Sequence, residues 1–172
     1  MDGSQGILET ERLVLRRLQV SDVDALVSLW SDPDVTEFMG GPRDAERIRL
    51  LFLEGAADPL AETYDLWPLI EKKGGIVIGH CGLLDKTVDG REEIELVYVI
   101  EKNSWGQGYA TEIARALRDH AFAALRLTRL ISLIEPENAA SEHVAQKVGM
   151  CLEKEIVRPG GETRRVYAIE SS

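Results

Sequence analysis

The most regular pattern of apolar and polar positions in the chain follows Gly108. Apolar residues recur there at the spacing of one helix face, namely at Ala110, Ile113, Ala114, Leu117, Ala121 and Leu125. The apolar run from Leu130 to Ile134 is typical of a strand buried on both faces, as expected after a crossover helix. Asn138 is placed to cap a last helix that ends at Gly149. With the strand candidate from Glu93 to Ile100 before it, this pattern predicts a strand-helix-strand-helix unit.

The rest of the chain predicts more strands than helices. Further strand candidates share alternating or short apolar runs and cover residues 7–18, 66–72, 76–84, 151–157 and 163–169. The turns Lys73-Gly74-Gly75 and Val88-Asp89-Gly90-Arg91 separate three consecutive strands, which we therefore expect to be antiparallel. Helical spacing within 25–30 and 45–55 predicts two earlier helices. The expected total is about seven strands and about four helices.

The length of 172 residues suits one domain, which we expect to span residues 7–172 after a flexible N-terminus of residues 1–6. No stretch approaches the roughly 20 apolar residues that cross a bilayer, so we expect no membrane association. The first residues lack the basic and apolar regions of a secretory signal, which favours a cytoplasmic location.

Charge and cysteine usage exclude further classes of function. The net charge of −10 disfavours nucleic acid as a partner and favours a cationic substrate. Cys81 and Cys151 lie far apart in apolar runs, so we expect reduced, partly buried thiols. The three histidines show no metal-ligand spacing, and we expect no metal.

The segment from Trp105 to Thr111 is the strongest candidate for a binding site. It joins a strand to the N-terminus of a helix, where unpaired N–H groups can bind a pyrophosphate, and Gly106 and Gly108 allow a ligand close to the main chain. An ordinary turn is an equal alternative on the glycine pair alone. A Rossmann turn is disfavoured, because it needs a third glycine where this chain has Thr111 and usually follows parallel strands.

The sequence Asn103-Ser104-Trp105-Gly106-Gln107-Gly108-Tyr109-Ala110-Thr111-Glu112 resembles the acetyl-CoA loop of the GNAT superfamily of N-acetyltransferases. Trp105 stands where the family motif has Arg or Gln, as is usual in the branch of the ribosomal-protein N-terminal acetyltransferases. Asn138-Ala139-Ala140-Ser141 with Gln146-Lys147-Val148-Gly149-Met150 resembles a second signature of that branch. So does the opening Thr10-Glu11-Arg12-Leu13-Val14-Leu15-Arg16.

This resemblance implies an α/β (α+β) fold, a single GNAT-like domain with a twisted, mixed, mostly antiparallel sheet. A β-bulge would splay the sheet at its centre and free N–H groups near Val99 for the thioester. Acetyl-CoA would be the co-substrate. The implied acetyl-CoA-binding residues are Tyr98, Val99, Ile100, Trp105, Gly106, Gln107, Gly108, Tyr109, Ala110, Thr111, Asn138 and Ser141.

The acid and the base of the reaction are less well defined by the sequence. Glu95 is the best-placed candidate base, and an exposed strand carboxylate is the alternative. Many family members carry a Tyr as acid where this chain has Ala145. Ser141 is the expected substitute, able to hydrogen-bond the sulfur, with capping of the helix as its alternative role.

The acceptor is expected to be a primary amine, first of all the α-amine of a protein or peptide N-terminus. A small cationic amine, such as a polyamine or an aminoglycoside, is the alternative acceptor. A CoA-binding sensor without catalysis is the alternative class of protein. The sequence leaves monomer and homodimer open.

Overall fold

The computed structural model describes residues 6–58 and 63–172 of the chain. Its strands are β1 Gly6–Glu9, β2 Leu13–Arg16, β3 Leu66–Glu71, β4 Ile76–Val88, β5 Arg91–Ile100, β6 Arg129–Ile134, β7 Cys151–Val157 and β8 Thr163–Glu170. Its α-helices are α1 Val23–Ser31, α2 Ala45–Ala57, α3 Tyr109–Ala123 and α4 Ala139–Val148. Single 3₁₀ turns at Val20–Asp22 and Lys102–Ser104 precede α1 and α3. None of the helices in these ranges is long and apolar enough to cross a membrane.

The strands form one mixed sheet in the order β1-β2-β3-β4-β5-β6-β8-β7. Every neighbouring pair is antiparallel except β5 and β6, which are parallel and are joined through α3. The predicted α/β fold with a mostly antiparallel sheet and four helices is confirmed. The described residues form eight strands, where the sequence predicted about seven.

The extra strand arises because the prediction of one strand over residues 7–18 is wrong. The chain turns back at Thr10–Arg12, and β1 pairs with β2 as a short hairpin. A carboxylate from α3 holds this turn: Glu112 accepts hydrogen bonds from Thr10 Oγ1 at 2.6 Å and from Arg12 N at 3.0 Å. The turn therefore depends on a residue about a hundred positions away, which local patterning does not reveal.

The two faces of the sheet carry different helices. On one face, α3 and α4 pack with Leu96 and Ile100 of β5 into the larger apolar core. On the other face, α1 and α2 pack against Val97 and Val99. Side chains alternate along a strand, so Tyr98 lies on the α3/α4 face and Glu95 on the α1/α2 face. The faces of β5 thus separate two sets of candidate site residues.

The sheet opens between β5 and β6. These strands share one ladder position, Glu95 with Ile131, and then diverge. We call the diverging segments, residues 96–100 of β5 and 132–134 of β6, the fork. The β4–β5 register runs without a shift from Gly79–Ile100 to Val88–Arg91, so the expected splay is present but no bulge in that ladder produces it.

The structure also settles the state of the thiols. Cys81 and Cys151 are both unpaired, as expected of reduced cysteines. Cys81 is buried in β4, and this burial raises the pKa of its thiol to about 12, so it is inert. Cys151 is exposed at the start of β7 and not partly buried as predicted, because β7 is an edge strand with one mostly open face.

Candidate active site

The turn before α3 has the geometry of an anion-binding site. Gly106 and Gly108 have φ angles of 74° and 80°, in the left-handed region that favours glycine. A Cβ at Gly106 would meet no atom within 4 Å, so the space beside this main chain is open. The first helical N–H bond is donated by Glu112 to Gly108 O at 3.0 Å. The N–H groups of Tyr109, Ala110 and Thr111 are therefore available at the helix end, where the helix dipole favours negative charge.

Arg12 braces this turn from the β1–β2 hairpin. Its Nη1 donates to Gln107 O at 2.9 Å, and its Nε donates to Glu112 Oε2 at 2.6 Å. Its guanidinium also lies 4.4 Å from the centre of the Tyr109 ring. The hydroxyl of Tyr109 donates in turn to Glu71 Oε1. A cation thus lies beside the glycine turn, a role that the sequence did not assign to Arg12.

Trp105 links the turn to the end of β5. Its indole Nε1 donates to Ile100 O at 2.8 Å, although about half of the residue is exposed. This bond is directed at the fork side of β5. The predicted turn residues 105–111 and the predicted wall residue Ile100 are therefore contiguous in the structure.

The main chain of β5 presents alternate residues to the fork. Val99 O faces β4, where Cys81 Sγ lies 3.9 Å away, whereas Leu96 O and Ile100 O accept hydrogen bonds from the fork side. Because N–H and C=O directions alternate along a strand, Tyr98 and Ile100 turn their N–H groups toward the fork. The N–H groups predicted to be free near Val99 would therefore be those of its two neighbours, Tyr98 and Ile100.

Asn138, Ser141 and Tyr98 form a cluster at the start of α4. Asn138 caps the helix as predicted, because its Oδ1 accepts from Ser141 N at 3.2 Å. Its Nδ2 donates to Ser141 Oγ at 3.1 Å, which leaves the hydroxyl proton of Ser141 for another acceptor. Tyr98 donates its hydroxyl proton to Ser141 O at 2.9 Å, and burial raises the pKa of Tyr98. The capping role that was the alternative for Ser141 belongs to Asn138.

Glu95 lies at the base of the fork, on the opposite face from Ser141. Its side chain is 12% exposed, so it is not an open strand carboxylate. Its Oε1 accepts from Leu133 N at 3.3 Å, and its Oε2 lies 3.6 Å from Lys86 Nζ. Desolvation raises the pKa of Glu95 against the opposing effect of Lys86. The structure does not bring Glu95 into contact with the Asn138–Ser141 cluster.

Ala145 fills a different role from the tyrosine that the resemblance associates with its position. It is fully buried in the larger core with Val148 and Tyr167. A second residue that the sequence did not indicate is Ser132, whose buried hydroxyl donates to Leu96 O at 2.8 Å inside the fork. A lone serine in an apolar strand, Leu130 to Ile134, is the only sequence signal that points to it.

The site combines a glycine turn that has the geometry of an anion-binding site with an open pair of strands, and a CoA-dependent acyltransferase needs both kinds of feature. Residues 12–151 match the acetyltransferase (GNAT) domain family. The chain therefore belongs to the GNAT family and is an acetyltransferase; the donor used by this family is acetyl-CoA.

Similar proteins agree with this assignment. The chain is 38% identical over 145 residues to the uncharacterised N-acetyltransferase p20 of Bacillus licheniformis, covering 78% of this chain and 76% of p20. The structure of an acetyltransferase from Agrobacterium tumefaciens is 29% identical in sequence to this chain and aligns with it at a TM-score of 0.79. The alignment covers 99% of this chain and 97% of the Agrobacterium chain.

More distant structures share the fold. The ribosomal-protein-S5-alanine acetyltransferase from Vibrio fischeri is 16% identical with a TM-score of 0.75, covering 98% of this chain and 97% of its own. The spermidine N-acetyltransferase from Vibrio cholerae, solved with CoA and spermine, is also 16% identical with a TM-score of 0.75. It covers 94% of this chain and 96% of its own.

Proposed function

We propose that this protein transfers the acetyl group of acetyl-CoA directly to a primary amine, first of all the α-amine of a protein or peptide N-terminus. We place it in the branch of the ribosomal-protein N-terminal acetyltransferases because its Trp105-to-Glu112 and Asn138-to-Met150 segments resemble the motifs of that branch. The observation that carries the proposal is the continuity of the glycine turn with the fork, through the bond from Trp105 Nε1 to Ile100 O.

The donor would bind along this continuous surface. The N–H groups at the start of α3 and the Arg12 guanidinium suit the pyrophosphate, since both carry positive charge at one spot. The N–H groups of Tyr98 and Ile100 suit the amide carbonyls of the pantetheine arm and the thioester oxygen. Asn138 and Ser141 border the α3/α4 side of this path. The residues present therefore fit acetyl-CoA.

The protons of the reaction have separate candidate carriers on the two faces of β5. The Ser141 hydroxyl proton can stabilise the leaving thiolate, which needs modest help because thiols of this kind have a pKa of about 8.5. Glu95 is the candidate base on the α1/α2 face, and its raised pKa makes it a better match for an amine than an exposed Glu. Lys86 holds this carboxylate, so an intervening water would carry the proton to it.

The acceptor argument uses the acidity of amines. An α-amine with a pKa of about 7.7–8.0 is roughly one tenth neutral at pH 7, whereas a lysine amine near 10.4 is neutral in about one molecule in two thousand. An N-terminal amine therefore needs less deprotonation by the protein. The second candidate is a small cationic amine such as a polyamine, which the net charge of −10 favours.

The test is release of CoA thiol with a panel of acceptors: N-terminal peptides, the same peptides with blocked α-amines, spermidine and an aminoglycoside. We expect thiol release that requires the free α-amine, with mass spectrometry placing the acetyl group there. Turnover with spermidine and none with the peptides would select the second candidate. Acetyl-CoA binding without acceptor-dependent thiol would select a CoA-binding sensor and overturn the proposed catalysis.

A further inference from the structure

The fork opens at one defined position of the β5–β6 ladder. After the Glu95–Ile131 pair, a continuing parallel ladder would join Leu133 N–H to Leu96 C=O. The β5–β6 register ends at the Glu95–Ile131 pair, before that position. Leu133 N instead donates to Glu95 Oε1 at 3.3 Å, and Leu96 O accepts from Ser132 Oγ at 2.8 Å. Two side chains thus replace the first missing main-chain bond.

Burial makes these replacements necessary. Ser132 is 3% exposed, and the side chain of Glu95 is 12% exposed. A buried N–H or C=O group without a partner is costly, so an open fork with both groups unpaired would be driven to close or distort. Lys86 Nζ, 3.6 Å from Glu95 Oε2, keeps the carboxylate in place. The open fork therefore has hydrogen-bond partners for Leu96 O and Leu133 N before any ligand binds.

We propose that Ser132 and Glu95 are positioning residues that hold the fork open, so that Tyr98 and Ile100 keep their N–H groups free for the pantetheine arm of acetyl-CoA. This inference rests on the proposed function, because it assigns the fork to the donor. It gives Glu95 a role that is distinct from proton transfer. A carboxamide has an oxygen to accept from Leu133 N but cannot serve as a base.

This difference allows substitutions to separate the two roles. In Glu95→Gln, we expect the affinity for CoA and the KM for acetyl-CoA to stay within about twofold of wild type. Glu95→Ala and Ser132→Ala each leave one main-chain group unpaired. In each variant we expect the affinity for CoA to fall about tenfold and the KM for acetyl-CoA to rise about tenfold. Ser132→Thr keeps a hydroxyl and should restore much of the affinity lost in Ser132→Ala.

Glu93→Gln is the matched control. Glu93 lies on the same strand and the same face as Glu95, two residues before the Glu95–Ile131 pair and outside the fork, and its Oε2 lies 3.1 Å from Arg129 Nε. Its substitution removes a buried ionic partner and should lower the melting temperature while leaving the KM for acetyl-CoA unchanged. CoA affinity is measured by titration calorimetry, and kcat and KM by thiol release.

The possible outcomes are distinguishable. Wild-type affinity for CoA in Ser132→Ala and Glu95→Ala would overturn the positioning role while leaving the proposed function in place. A loss of CoA affinity in Glu95→Gln equal to that in Glu95→Ala would overturn it too, since the retained oxygen would then be irrelevant. A wild-type protein that binds no CoA would overturn the proposed function and this inference with it.

Discussion

At the scale of single residues, the glycine turn depends on backbone conformations that other residues adopt at a cost. Gly108 has a φ of 80° and is the residue from which α3 begins, so its conformation aims the first N–H groups of the helix. A Cβ there would lie 3.5 Å from Arg12 Nη2, an ordinary contact. Any defect of an alanine at this position would therefore come from the backbone and not from a clash.

We expect Gly108→Ala to raise the KM for acetyl-CoA about tenfold, because a strain of about 1–2 kcal/mol would be relieved by turning those N–H groups away. The measurement is steady-state thiol release, with the melting temperature recorded in parallel. Gly90→Ala is the control, since Gly90 has a φ of 76° in the β4–β5 turn and open space around it. An equal change of KM in both variants would show that strain alone, and not the binding turn, is responsible.

The sequence could predict those site residues that act on neighbouring positions of the chain. Gly106, Gly108 and Asn138 act on the backbone within a few positions. Their spacing in the sequence was therefore sufficient to predict the turn and the helix cap. Arg12 and Ser132 act across long separations in sequence, on Gln107 O and Leu96 O. No local pattern distinguishes them from an exposed arginine and a strand serine.

At the scale of elements, the sequence predicted local units better than their arrangement. The β4–β5 hairpin was expected from its turn, and Asp89 and Gly90 indeed have φ angles of 50° and 76°. The closing hairpin of β7 and β8 was also expected, but β8 lies between β6 and β7. That order depends on whether β7 or β8 pairs with β6. The alternation of apolar and polar residues is the same for either partner and does not determine this tertiary contact.

The attachment of α1 to the sheet depends on a buried histidine. Trp30 Nε1 of α1 donates to His80 Nδ1 of β4 at 3.0 Å, and the Phe52 ring of α2 lies edge-on to the imidazole. Burial lowers the pKa of His80 to about 4, so the imidazole is neutral in the folded protein at neutral pH. A proton on Nδ1 would remove the acceptor that Trp30 uses.

Stability should therefore decrease as the pH falls through a defined window. The unfolded chain protonates His80 near its ordinary pKa of 6.5 and the folded protein only near 4, so the stabilisation is present above 6.5 and lost as the pH falls toward 4. Between pH 7.5 and 5 this group alone should cost about 2 kcal/mol of unfolding free energy. Urea unfolding at a series of pH values measures this loss.

His80→Asn is the informative variant for this window, because its amide oxygen can still accept from Trp30 without titrating. Between pH 7.5 and 5, we expect the unfolding free energy of this variant to fall by about 2 kcal/mol less than that of the wild type. His143→Gln serves as the comparison, since His143 is exposed on α4. A pH dependence that His80→Asn leaves unchanged would mean that His80 is not the group responsible.

At the scale of the whole molecule, net charge acts on the acceptor before any contact is made. The charge of −10 attracts cations over a distance set by the Debye length, about 10 Å at 0.1 M salt. Acceptor peptides that share an N-terminal residue but carry either lysines or alanines further along would differ in this attraction and not in their reacting amine. Charge thus provides a means of ranking acceptors that is independent of the chemistry at β5.

We expect kcat/KM for the lysine-containing peptide to fall about threefold or more between 20 and 200 mM salt, because screening removes the long-range attraction. The alanine-containing peptide should change by less than about twofold over the same range, since its single α-amine reacts as the neutral form. Thiol release at saturating acetyl-CoA isolates the acceptor from any effect of salt on the donor. Equal salt dependence for both peptides would show that the acceptor is selected by contacts alone, and the net charge would then carry no weight in favour of a cationic acceptor.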